Sequence, residues 1–193
     1  VARGALINLK TDSTGVLNLK ELLDAIRKGK DEKEDSAPRM SVTFRNARVI
    51  ESTFRLQGPN NGMVDYGIDF NNLHIHNLSI DVKNLSVEGD TISMIINDLY
   101  GVERSGFAIE SLRADLKICP TKMAFNRLRI KAMGSSIAIP TLTMEYADYE
   151  QLSNFVNSVY INSEIDHSLI TTHFLSFFAP NLRDYNLNAN ISG

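Results

Sequence analysis

The stretch "LHIHNLSIDVKNLSV" (residues 73–87) decides the fold, because it can be read as a metal site or as the wall of a sheet. His74 and His76 are two residues apart, so on a β-strand they would share a face and could chelate a metal. The same letters alternate apolar and polar residues, and the alternation slips by one residue near Asn77 and again near Asn84. This alternation places both histidines opposite the apolar residues, and no third ligand with diagnostic spacing follows. We therefore expect a sheet wall and no metal.

The same slip recurs along the chain. With h for apolar and x for other residues, the opening stretch reads h-x-h-x-x-h-x-h-x-h. The string returns in "FAIESLRADL" (107–116), "MAFNRLRIKA" (123–132) and "IAIPTLTMEY" (137–146), and a shortened copy is "VTFRNARV" (42–49). An extra residue in a strand turns the following side chains to the other face, and a β-bulge restores them while coiling the strand. The pattern therefore predicts a mainly β fold, a long curved, bulged antiparallel sheet that forms an open half-barrel groove, β-taco-like in shape.

Two turn signals, "CPTK" and "MGSS", separate three of the copies and predict antiparallel neighbours of about ten residues each. "LYGVERSGF" (99–107) predicts another such link. Charged residues occupy the outward positions and apolar residues the inward ones, so the sheet has one apolar face. The residues predicted to line the groove are Leu73, Ile75, Leu78, Ile80, Val82, Phe107, Ile109, Leu112, Leu116, Met123, Phe125, Leu128, Ile130, Ile137, Ile139, Leu142 and Met144.

About three short amphipathic helices are also predicted. The first is the best marked, with Asn18 as N-cap, Glu21 at the capping-box position and Gly29 as the stop. The third carries an aromatic stripe and ends at Pro180. Residues 1–193 are expected to form a single β-groove unit with this order: helix at about 18–28, charged mobile loop 28–39, repeated long strands 40–146, helix at about 149–157, strand 158–166, helix at about 172–179 and strand 185–192.

Composition excludes several classes of protein. A net charge of −3 and a pI near 5.8 argue against a nucleic-acid surface, which needs clustered Lys and Arg. The single cysteine, Cys119, excludes an internal disulfide framework. No apolar run approaches the ~20 residues that span a bilayer. Because the chain begins at Val1 and stops in the strand-like "NLNANISG", we expect it to be a piece of a longer protein.

Enzyme motifs are not found. The sequence holds no G-x-S-x-G, no phosphate-binding glycine loop, no H-E-x-x-H and no C-x-x-C. Its four histidines are dispersed, and no aspartates are paired as catalytic carboxylates. We therefore expect no enzyme, no cofactor and no metal site.

The segment "FNNLHIHNLSIDVKNLSVEGDTISMIINDLYGVERSGFAIESLRADLKICPTKMAFNRLRI" (70–130) and the later "SFFAPNL" resemble the TamB group of AsmA-like proteins, in the form found in Bacteroidetes. "TGVLNLKELLDAI" is also similar to the segment that follows the first strands of that family. The resemblance covers most of the chain and rests on patterns of strand, turn and helix. It implies the periplasmic part of a protein that is anchored in the inner membrane by a helix outside this chain, and that acts in outer-membrane biogenesis.

The resemblance also implies a function and partners. A hydrophobic groove would conduct phospholipid between membranes, with acyl chains as its ligands, and other regions would meet outer-membrane assembly machinery such as a BamA/TamA-like barrel. The alternative is a chaperone or scaffold that offers a sheet edge to outer-membrane or secreted proteins by β-augmentation. A third possibility is a structural spacer whose groove is filled by its own helices.

Overall fold

The computed structural model of the chain describes residues 1–10, 41–58, 64–70, 72–148, 151 and 158–193. The predicted first helix and charged loop lie outside these residues. So does the predicted helix at about 149–157, apart from Gln151.

Ten β-strands account for most of the described chain, with one short helix near the C-terminus. The helix α1 spans Thr172–Ser176, and a 3₁₀ turn follows at Pro180–Leu182. The strands are β1 Ala2–Arg3, β2 Leu6–Lys10, β3 Ser41–Gln57, β4 His74–Glu88, β5 Thr91–Glu103, β6 Ala108–Cys119, β7 Lys122–Ala132, β8 Ser135–Glu145, β9 Tyr160–Thr171 and β10 Asn188–Ile191.

All ten strands form one open, curved sheet in the order β1-β3-β4-β5-β6-β7-β8-β9-β10, with β2 also beside β3. Neighbours from β3 to β10 are antiparallel, as predicted. The first two strands instead run parallel to β3, so the prediction of a purely antiparallel sheet is wrong at this edge. A parallel pair needs a long connection, and residues 11–40 separate β2 from β3 along the chain.

Both slips in the opening stretch are β-bulges. Asn77 and Asn84 each have a φ of 51°, in the left-handed region that asparagine tolerates better than most residues. At each of them three steps along β4 oppose two steps along β5, so one residue of β4 is unpaired. The extra residue returns the following apolar side chains to the same face.

The other copies of the slip also appear in the register. Strand β6 has its extra residue between Ile109 and Ser111, and β7 has one beside Arg127, where φ is 54°. Strand β8 has one between Ala138 and Thr141, against β9. The slip in β3 differs, because β3 stays in register with β4 throughout Ser41–Val49. That slip coincides with the slip at Asn84, so the two strands bend together without a bulge between them.

Several predicted boundaries differ from those of the structure. Strand β9 does not end at 166 but continues to Thr171. A bulge at His167, with φ of 29°, lets the strand continue beyond the polar residues Asp166 and His167. The link predicted at 99–107 is mostly strand, since β5 runs to Glu103. Strands β6, β7 and β8, predicted at about ten residues each, have 12, 11 and 11 residues, whereas β3 has 17. Helix α1 is shorter than its predicted span and begins at the predicted residue.

Candidate functional site

The apolar face of the sheet is built from rows of side chains that cross several strands. Directly paired residues of neighbouring strands share a face, and one row follows the register from strand to strand without a polar member. A second row runs parallel to it. The first row is Ile80, Leu99, Leu112, Ile130 and Ile137, and the second is Met94, Leu116, Phe125 and Leu142.

The predicted groove residues come together on this apolar face. Leu78, Val82, Phe107, Leu128 and Ile137 are buried. The remaining predicted residues are half-buried, so part of each side chain stays accessible. In a closed hydrophobic core, more of these apolar side chains would be fully buried.

The slips in two strands, β5 and β9, were not predicted from the sequence. In β5 the string "ISMIINDL" carries Ile92, Met94, Ile96 and Leu99 with the same slip, and it pairs with β6 through two register shifts. In β9 the slip precedes Ser168, which is 1 % exposed and occupies an inward position. The β5 copy was detectable by spacing. The β9 copy was hidden because a serine stands where an apolar residue was expected.

At two of the bulges, a buried serine hydroxyl forms hydrogen bonds with backbone groups. The Ser168 hydroxyl accepts from Ala138 N at 2.9 Å and donates to Asp166 O at 2.9 Å. The Ser52 hydroxyl accepts from Ala5 N at 3.0 Å and donates to its own strand. Each serine directly follows a residue with positive φ, where a bulge leaves ladder groups unpaired. These polar side chains inside the wall therefore maintain its curvature.

One end of the apolar face is covered by an aromatic cluster on α1. Thr171 caps α1, because its hydroxyl accepts from Phe174 N at 3.0 Å. Phe177 is 6 % exposed and packs with Phe107 and Ala132 in the buried core of this end. The ring of Tyr66 stacks on Phe177 at 5.5 Å between centroids. We call this end, formed by residues 172–178, residues 66–70 and Phe107, the capped end.

The capped end contains an apolar cavity of about 250 Å³. Its sheet side includes six of the predicted groove residues, and its roof consists of Phe174 of α1, Phe178 just after α1, and residues 68–70. Glu103 also reaches the cavity, but both carboxylate oxygens accept backbone N–H groups, from His74 at 3.2 Å and Ser105 at 2.7 Å. The lining residues are Leu73, Ile75, Phe107, Ile109, Leu112, Ile130, Ile68, Phe70, Phe174, Phe178, Gly101 and Glu103.

A polar cavity of about 280 Å³ lies next to the apolar one and shares Leu73 with it. Arg55, His74 and Arg104 line it together with neutral residues. Arg104 Nη2 lies 3.0 Å from the buried carboxylate of Asp69. Burial lowers the pKa of His74, and the cations of Arg55 and Arg104 lower it further, against an opposing effect of Glu103. Two arginines therefore line this rim, and the carboxylates of Asp69 and Glu103 lie beside one of them, Arg104.

The two histidines of the opening stretch have different surroundings. His76 is exposed, whereas His74 is half-buried and lies opposite Arg55 in the register rather than facing open solvent. Within the described ranges, no group of three or more His, Cys, Asp or Glu side chains is arranged to hold a metal ion.

The far end of the face is the second row, Met94, Leu116, Phe125 and Leu142, and these side chains are half-buried. Phe44, at the same height on β3, is 45 % exposed. Helix α1 contributes only to the capped end. The other two helices predicted to cover the rows lie outside the described residues, so the spacer stays a prediction.

No helix in the described part of the chain is long and apolar enough to cross a membrane. No protein-family model, curated protein or solved structure matches the chain.

Proposed function

We propose that the chain is a non-enzymatic, periplasmic segment of a TamB/AsmA-like lipid conduit, whose apolar face carries phospholipid acyl chains. The observation that supports this proposal is the row from Ile80 to Ile137, which continues across five adjacent strands and is half-buried at every member except the buried Ile137. A single enclosed core would not need an accessible row of this length.

The energetics suit transfer rather than storage. Each acyl methylene that leaves water for the face contributes ~0.8 kcal/mol. Apolar contacts have no preferred direction. An acyl chain can therefore move from one row to the next without breaking a hydrogen bond. Phospholipid headgroups would remain in water at the open edge. Partner contacts with outer-membrane assembly machinery would come from other regions of the parent protein.

Lipid extraction and native mass spectrometry of the purified chain test this proposal. We expect phospholipid to co-purify with the wild type and to be lost in Leu142→Asp and Ile130→Asp, because a carboxylate on the apolar face is costly beside acyl chains. Thr141→Asp is the matched control, since Thr141 is exposed and its side chain points to the opposite face from Leu142. If no lipid co-purifies, or if all three variants retain it equally, the conduit proposal is wrong.

The second candidate, a chaperone that binds strands by β-augmentation, is favoured by one observation. Strand β10 is the last strand of the sheet order, and all four of its residues are exposed. An edge of this kind offers backbone groups to an added strand. Photo-crosslinkers at Ala189 and Leu116 separate the two functions: a client captured at Ala189 supports the chaperone, and lipid captured at Leu116 supports the conduit.

A further inference from the structure

We infer that the capped end holds a binding site for an anionic single-chain amphiphile, with the acyl tail in the apolar cavity and the anionic head on Arg55 and Arg104. This inference rests on the proposed function and deepens it, because it assigns a headgroup chemistry and a fixed place to a ligand that elsewhere only slides. It also assigns a role to Arg55 and Arg104 beside His74, which a metal site would not use.

The tail half of the site is the cavity of about 250 Å³ under the aromatic roof. An apolar cavity of ~150 Å³ already stays dry and accepts a benzene-sized ligand, so this one accommodates a longer stretch of hydrocarbon. Its single ionisable lining residue is Glu103. The carboxylate of Glu103 accepts hydrogen bonds from two backbone N–H groups, so it needs no water molecule inside the cavity. Phe178 is 47 % exposed and lines the cavity, which places the roof in contact with solvent.

The head half of the site is the polar cavity at the start of β4. Arg55 lines it, and among the described residues no carboxylate lies within ion-pair distance of Arg55. Arg104 gives one nitrogen to Asp69, while a guanidinium has five N–H donors in all. Glu103 lies farther, at 3.9 Å from Arg104 Nε. Arginines with donors to spare are the side chains that bind phosphate and carboxylate groups best.

The two halves are joined in a way that fits one molecule. Arg55 and His74 lie on the opposite face of the sheet from Ile75, and Leu73, the residue before β4, lines both cavities, so the two cavities meet around the end of β4. A ligand with a charged group at the end of a hydrocarbon chain would therefore have its head beside Arg104 and its tail beside Phe107. A neutral alcohol of the same length would satisfy only the tail half, and inorganic phosphate only the head half.

Calorimetric titration of the full chain with decyl phosphate, 1-decanol and inorganic phosphate tests the inference. We expect decyl phosphate to bind about tenfold more tightly than 1-decanol, and inorganic phosphate to bind most weakly. Arg55→Gln should weaken decyl phosphate binding about fivefold, as for a solvent-exposed ion pair, and leave 1-decanol binding unchanged. Arg45→Gln is the matched control, because Arg45 is an exposed arginine on the same strand and lines neither cavity.

The tail half has its own pair of variants. Phe178→Ala should weaken both decyl ligands about fivefold, whereas Phe44→Ala should not, although Phe44 is similarly exposed, at 45 % against 47 %. Thermal unfolding of each variant confirms that it is folded.

The outcomes separate the inference from the function on which it rests. Equal affinity for decyl phosphate and 1-decanol would overturn the headgroup site and leave the acyl-chain proposal standing. Inorganic phosphate that binds as tightly as decyl phosphate would show a free-anion site and overturn the amphiphile. If neither decyl ligand binds, both the inference and the proposed function are wrong.

Discussion

The two ends of the apolar face are built from the same sequence pattern and differ in what covers them. At the capped end, Phe107, Ala132 and Phe177 are 7, 0 and 6 % exposed, and an aromatic roof lies over the sheet. At the far end, Leu116 and Phe125 are half-buried, and Phe44 is 45 % exposed. The capped end therefore holds a buried aromatic core, and the second row keeps apolar surface accessible, whereas Val87, Ile92 and Tyr146 beyond that row are buried, at 4, 8 and 6 % exposed.

The largest expected effect removes the centre of the capped end. Phe177→Ala deletes a buried ring and should lower the free energy of unfolding by about 3–5 kcal/mol. Phe44→Ala at the far end should cost only about 0.5 kcal/mol, because nearly half of that ring is already in water. Urea unfolding of both variants measures the difference. Equal losses would show that the two ends contribute alike to stability.

A smaller loss is expected from crowding the contact between residues 66–70 and α1. Gly67 has φ of +87°, and a Cβ there would lie 2.5 Å from the carbonyl oxygen of Phe177. Gly67→Ala should therefore cost about 2–3 kcal/mol, from backbone strain and from displacement of Ile68 N, which donates to the same carbonyl at 3.1 Å.

Gly134→Ala is the control for that substitution. Gly134 also has positive φ, at +77°, but a Cβ there meets only Thr171 Cγ2, at 3.7 Å. Its cost should be the strain alone, about 1 kcal/mol. Thermal unfolding distinguishes the two glycines, and equal shifts would mean that the contact with Phe177 is unimportant.

The strands at the far end are joined by a hydrogen bond from Tyr146, and removing this bond should cost less stability than the changes at the capped end. Tyr146 is 6 % exposed, and its hydroxyl donates to Cys119 O at 2.9 Å across the ends of β6 and β8. Tyr146→Phe should lower stability by about 1 kcal/mol. Hydrogen exchange should rise most at Lys122 and Glu145, which pair nearby. Faster exchange at the capped end instead would contradict this assignment.

The smallest effect is a pH dependence at the capped end. The pKa of His74 is lowered in the folded chain by burial and by neighbouring cations, so the unfolded chain binds the proton more readily. Both states are neutral well above the ordinary value of 6.5, and folding loses stability as pH falls through 6.5 toward the lower folded pKa. Comparing thermal unfolding of wild type and His74→Gln between pH 7.5 and 5.5 isolates this contribution. A wild type that loses no more stability than the variant would refute it.

Much of the sheet could be predicted from the sequence because its signal is local. The spacing of apolar residues around Asn77 and Asn84 predicted both bulges of β4, and asparagine at positive φ supplied the backbone geometry. The turns after Cys119 and Ala132 were equally readable. The bulge of β9 was not, since Ser168 fills an inward position with a hydroxyl that bonds to backbone groups of β8 and β9.

Only the sheet side of the candidate site could be predicted from the sequence. Six lining residues of the apolar cavity belong to the repeated pattern, from Leu73 to Ile130. The roof from residues 68–70 and the cationic rim at Arg55 carried no periodic signal. Arg55 and Arg104 are 49 positions apart in the chain, and they share a cavity only because β3, β4 and β5 end together.

The sequence by itself determined that this protein is a bulged sheet with one apolar face, because side-chain alternation and its slips are properties of single strands. It placed His74 and His76 on the other side of the wall from Ile75. Only the tertiary structure decided which part of the apolar face is covered, which is still accessible, and which charges meet at its rim. Those features depend on contacts between residues far apart in the chain, and no local spacing records them.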